Sequence, residues 1–130
     1  GDGAIINGSQ HPWTAKHLGD YTTTGPIEKT IVNLPEVDMF VCSETVEHVE
    51  QPQALLASIA DKATHLVLST PCGEWDDGNP EHYWGWDEAG IDQLLDGVGW
   101  GKRQHHLFTP QTTQYYTFQI WTCTRKGIRE

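Results

Sequence analysis

A chain of 130 residues, 37% hydrophobic and 20% charged, is long enough to bury one core without disulfide staples. Its 18 acidic residues against 8 basic ones leave a formal charge of −10. That charge repels phosphate backbones and anionic headgroups, which argues against nucleic acid and membrane surfaces as partners. No apolar run approaches the roughly 18 residues of a membrane span. Cys42, Cys72 and Cys123 form no Cys-x-x-Cys pair, so a zinc ribbon or a dithiol redox site is not expected, and a reducing cytoplasm suits them best. Gly1 opens the chain and Met39 is its only methionine, which points to a chain processed or cut from a longer one. We expect a single domain over residues 1–130.

In chain order, Ala4-Ile5-Ile6 is a short apolar run stopped by the turn signal Asn7-Gly8-Ser9. Residues 16–22 and 27–34 read as short strands, ended by Gly25-Pro26 and Pro35. Residues 37–42 are apolar except for Asp38, the pattern of a strand buried on both faces. From Pro52 to Lys62, Leu55, Leu56, Ile59 and then Ala63 recur at helical steps, with Asp61 and Lys62 outward. Residues 65–70 form a second continuous apolar strand, stopped by Pro71-Cys72-Gly73. Asp87 can cap a helix over residues 88–98, whose stripe is Ile91, Leu94 and Leu95. Residues 103–108 and 115–124 complete the pattern, the latter alternating as an antiparallel strand does.

This order predicts an open α/β sheet, mostly parallel, with an antiparallel C-terminal edge. Residues 37–42 and 66–70 should be adjacent parallel strands at its centre. Ligands of such sheets sit outside the carboxyl ends of the strands. After the first buried strand stands Cys42-Ser43-Glu44-Thr45-Val46-Glu47-His48, two acids and a histidine at a strand-to-helix corner. They suit a ligand-facing corner, a solvated helix start favoured by the helix dipole, or a metal site in which Glu44 replaces a histidine of an inverted zincin motif. Between residues 74 and 86 stand three tryptophans, Tyr83 and His82. Such a loop is either a hydrophobic clamp on the sheet or a cover in which His82 faces substrate.

The run from Val37 to Val49 followed by Gln51-Pro52 resembles the fourth-strand region of class I S-adenosylmethionine-dependent methyltransferases, in their small-molecule branch. Leu66-Val67-Leu68-Ser69-Thr70-Pro71 is similar to that family's fifth strand. Pro80-Glu81-His82 and Gly97-Val98-Gly99-Trp100 also have counterparts there, so the resemblance covers most of the chain from Asp20 onward. It implies a Rossmann-like fold that moves a methyl group from S-adenosylmethionine to a small-molecule acceptor. It further implies that Gly1-Asp2-Gly3 is the end of the glycine-rich cofactor loop, and that Asp20, beside Tyr21, accepts the ribose hydroxyls. A second register makes Ala4–Ile6 the first strand and Asn7-Gly8-Ser9 a degenerate loop.

Cys42, Ser43 and Glu44 would complete the cofactor site, and His48, then His82, would serve as the proton acceptor, since imidazole titrates near neutral pH. Glu44 and Glu47 would position the acceptor or the cofactor amine. No metal is expected. The family's first strand lies between those ending near Asp20 and Cys42. Its place must therefore be filled by an upstream segment, by Ala4–Ile6, or by a partner chain, which leaves a homo-oligomer open. Two other readings are a methyltransferase-like binding module without turnover, and a metal-dependent hydrolase built on Glu44, Glu47, His48 and His82.

Overall fold

The computed structural model describes residues 6–7, 22–23, 25–73, 85–111 and 117–127. Contacts divide the chain into two units, Gly1–Pro35 and Glu36–Glu130. In the first, strands β1 (Ile6–Asn7) and β2 (Thr22–Thr23) pair in parallel, Ile6 opposite Thr22. A strand therefore does run through Ile6, and its described partner is β2. Residues 27–34 correct the sequence expectation: they form α1 (Ile27–Thr30) and a 3-10 turn (Ile31–Asn33), not a strand. Pro26 supplies a helix-compatible φ of −58° and a carbonyl that accepts from the Lys29 and Thr30 amides at 3.0 Å. Ile31 and Leu34 are buried while Val32 is 65% exposed. That spacing of three is helical, and the loose alternation in the sequence hid it.

The second unit carries a four-stranded sheet in the order β3-β4-β6-β5. These strands are β3 (Val37–Ser43), β4 (Ala63–Pro71), β5 (Trp100–Phe108) and β6 (Phe118–Arg125). β3 and β4 are parallel, Cys42 opposite Leu68 and Ser43 opposite Ser69. β4 with β6 and β6 with β5 are antiparallel, the expected C-terminal edge. β3 and β4 are neighbours as the apolar runs implied, but β3 is the outer strand of this sheet rather than a central one. Among the described residues no strand pairs with its outer edge, and Met39 and Val41 are 55% and 63% exposed. The apolar run is thus half-exposed, not buried on both faces.

Helix α2 (Pro52–Ala60) has proline at its first turn, where a missing N–H costs nothing, and buries Leu55, Leu56 and Ile59. It stops before Ala63, which is the first residue of β4 rather than part of the helical stripe. Helix α3 (Glu88–Gly97) starts as expected at Asp87, whose Oδ1 accepts from the Gly90 amide at 2.7 Å, and buries Ile91 and Leu95. Alternate residues Leu66, Leu68 and Thr70 of β4, with Trp121 and Cys123 of β6, complete the core. Trp100, at the start of β5, is fully buried, and its Nε1 donates to the Leu56 carbonyl of α2 at 3.2 Å. Among the described residues no helix is long and apolar enough to cross a membrane.

Candidate functional site

Parallel pairing brings the carboxyl ends of β3 and β4 together, and Ser43 lies level with Ser69. The ladder runs one residue past the strand, since the Glu44 amide donates to the Ser69 carbonyl at 2.9 Å. Glu44 then turns into the left-handed region with φ 51°, the one non-glycine residue among those described to do so. Left-handed backbone costs an L residue roughly 1–2 kcal/mol, so local bonds must hold it. They come from Ser69, whose Oγ donates to Glu44 Oε2 at 3.0 Å while its carbonyl takes the Glu44 amide. Ser43 Oγ lies 2.9 Å from Ser69 Oγ, and Thr45 Oγ1 donates to the Ser43 carbonyl at 3.0 Å.

A 3-10 turn (Val46–His48) follows, with Val46 and Glu47 buried. Glu47, only 1% exposed, accepts the Thr70 hydroxyl at 2.5 Å. Ser69 and Thr70 are consecutive in β4, so their side chains leave opposite faces of the sheet. The two acids that take their hydroxyls therefore flank the strand ends from both sides. Burial, and then the charge of Glu47, raise the Glu44 carboxyl above its ordinary value, against the Ser69 bond and the His48 ring. His48 Nε2 lies 3.8 Å from Glu47 Oε1, with about a third of its side chain exposed.

Behind this end lies a second polar group. Gln119 of β6 is level with Thr70 and fully buried. Its Nε2 donates to the Trp86 carbonyl at 3.0 Å, and its Oε1 accepts from Trp121 Nε1 at 2.9 Å. The Trp86 carbonyl also takes the Gly73 amide at 2.7 Å, and Cys72 and Trp86 form a parallel bridge. Cys72, Gly73 and Trp86 are thus fastened together beside the carboxyl end of β4.

Of the expected site residues, the structure brings together Ser43, Glu44 and, through Glu47, His48. Gly1, Asp2, Gly3, Asp20, Tyr21 and His82 lie outside the described residues. Cys42 is buried on the helix-covered face and its thiol is pushed up to about 12, mainly by burial, so its side chain is closed to a ligand. Sequence reasoning missed Ser69 and Thr70 as site residues. Their signal was two adjacent hydroxyls ending an apolar strand, and their partners lie 25 and 23 positions away. Among the described residues no three His, Cys, Asp or Glu side chains converge as a metal ion requires.

No protein-family profile and no curated protein sequence matches the chain. Solved structures do. The N-terminal domain of EvdMO1 with SAH bound superposes with a TM-score of 0.64 at 17% identity, over 92% of this chain and 63% of that one. Magnesium protoporphyrin IX methyltransferase (ChlM) from Synechocystis PCC 6803, with bound SAH, gives 0.64 at 18%, over 95% and 65%. A Burkholderia thailandensis 1,6-didemethyltoxoflavin-N1-methyltransferase, with 1,6-didemethyltoxoflavin and S-adenosylhomocysteine bound, gives 0.68 at 13%, over 93% and 60%. The chain has the class I methyltransferase fold. It spans 60–65% of the length of these three chains. At this level of identity the likeness speaks for the fold, and the methyltransferase sheet it describes is the frame that carries Ser43 and Glu44.

Proposed function

We propose that the chain is the catalytic core of an S-adenosylmethionine-dependent methyltransferase with a small-molecule acceptor, working in the cytoplasm, where its three cysteines stay reduced. The observation that carries this reading is the Ser43, Ser69 and Glu44 group at the carboxyl ends of adjacent parallel strands, in a fold whose solved examples hold S-adenosylmethionine or its product. The donor set fits the group: a carboxylate and two hydroxyls suit a ligand bearing a sulfonium, an ammonium and ribose hydroxyls. Ser43 and Glu44 would hold it at the carboxyl end of β3. Cys42 lies beneath them at the strand end.

When bound, the cofactor supplies an electrophilic methyl group on a sulfur that leaves as a neutral thioether. The protein's task is then alignment and removal of a proton. His48 takes the acceptor's proton on its partly exposed imidazole. Glu47, held by Thr70 on its other oxygen, stabilises the imidazolium that forms. His82 is the second proton acceptor in this reading.

Isothermal titration calorimetry of the native protein with S-adenosylmethionine and with S-adenosylhomocysteine tests it. We expect saturable binding of both with one site per chain. Absence of heat for both at millimolar ligand overturns the reading.

A further inference from the structure

The direction of the Ser43, Ser69 and Glu44 chain follows from counting protons. A serine hydroxyl has one proton to give, and Ser69 gives its own to Glu44 Oε2 at 3.0 Å. In the 2.9 Å contact between the two serines, Ser43 must therefore be the donor. With Glu44 ionised and accepting, both serine hydroxyls point toward the carboxylate.

The same residue, Ser69, holds Glu44 by its carbonyl and by its hydroxyl, and the backbone between these points is left-handed. The carboxylate is set in place against local preference. Burial and Glu47 both work against its charge, and among the described side chains only His48 offers it a counter-charge. Among the described residues no lysine or arginine contributes. A cationic ligand at the strand end, where ligands of this fold class bind, would supply a balancing positive charge.

We propose, resting on the methyl-transfer reading, that Ser69 is a positioning residue which holds the Glu44 carboxylate as the charge partner of the methyl donor's sulfonium, so that the site tells S-adenosylmethionine from S-adenosylhomocysteine. In the transfer the sulfur–methyl bond breaks and its electron pair stays on sulfur. The acceptor atom's lone pair forms the new bond to carbon, and the acceptor's proton leaves to His48. The sulfur is then neutral, and the attraction that Glu44 offered is gone. The same carboxylate that favours the donor thus favours release of the spent product.

The test compares calorimetric affinities of the native protein and of Glu44→Gln, Ser69→Ala and Ser69→Thr for the two ligands, with circular dichroism melting to confirm folding. Wild type should bind S-adenosylmethionine more tightly than S-adenosylhomocysteine. Glu44→Gln should weaken S-adenosylmethionine about tenfold, the scale of a charge-assisted contact, and leave S-adenosylhomocysteine within about twofold. Ser69→Ala should lower the same ratio, and Ser69→Thr, which keeps the hydroxyl, should restore it. Equal weakening of both ligands in Glu44→Gln, or an unchanged ratio in a folded Ser69→Ala protein, overturns the proposal while leaving methyl transfer intact. Failure of wild type to bind either ligand overturns the methyl-transfer reading itself.

Discussion

Replacing Gln119 by leucine isolates the buried polar group behind the site, because the two side chains are close in volume and no cavity forms. Gln119 is fully buried and Trp121 is 3% exposed, so water cannot reach the Trp121 Nε1 donor once its 2.9 Å partner is gone. A buried donor left without a partner costs about 1–3 kcal/mol. The Trp86 carbonyl loses the 3.0 Å bond from Gln119 but keeps the Gly73 amide at 2.7 Å, a loss of about 0.5–1.5 kcal/mol. The apolar leucine returns on the order of 1 kcal/mol through burial. The net expectation is a destabilisation of about 2 kcal/mol. With an m-value of about 1–3 kcal/mol/M for urea, the unfolding midpoint should fall by about 1 M at unchanged m. Hydrogen exchange at the Gly73 amide should accelerate, because the Trp86 carbonyl that protects it has lost its second tether. A midpoint shift within about 0.2 M, with Gly73 exchange unchanged, would refute the reasoning.

The raised Glu44 carboxyl makes a second prediction with a definite sign. Between its ordinary value and its raised one, the folded state binds more protons than the unfolded state, so this group's contribution to stability falls as pH climbs through that window. Glu44→Gln removes the penalty, so the difference in melting temperature, variant minus wild type, should be larger at pH 8 than at pH 4. An equal or reversed difference tells against the assigned cause. The thiols give a third: Cys42 and Cys123 are both pushed up to about 12 by burial, which leaves about one thiolate in ten thousand at pH 8. Ellman's reagent should then titrate one thiol promptly in the folded protein, the half-buried Cys72, and three after denaturation. Three prompt equivalents in the folded state would be inconsistent with this core.

Several elements were legible in the chain alone because the forces that make them are local. Leu55, Leu56 and Ile59 recur at helical spacing and are the buried stripe of α2. Asp87 precedes α3 and caps it through an amide three residues on. The runs at β3 and β4 are dense in apolar residues, and they pair in parallel. Residues 27–34 failed the same test. Eight residues of loose alternation carry little periodicity, and the proline carbonyl that starts the helix competes successfully with it.

The position of β3 in its sheet was not legible either. An apolar strand reads alike at the centre and at the edge, and only pairing across the sheet separates the two. The decisive features of the site depend on register as well. Nothing near Glu44 in sequence says that Ser69 will meet it, or that Thr70 will meet Glu47 on the other face. A shift of one residue between β3 and β4 would exchange those partners, because successive strand residues point to opposite faces. The chain by itself determined which residue types stand at the strand ends: two acids, a histidine and adjacent hydroxyls. The tertiary structure decided which hydroxyl holds which acid, and forced Glu44 into a left-handed turn, since both follow from contacts between segments more than twenty residues apart.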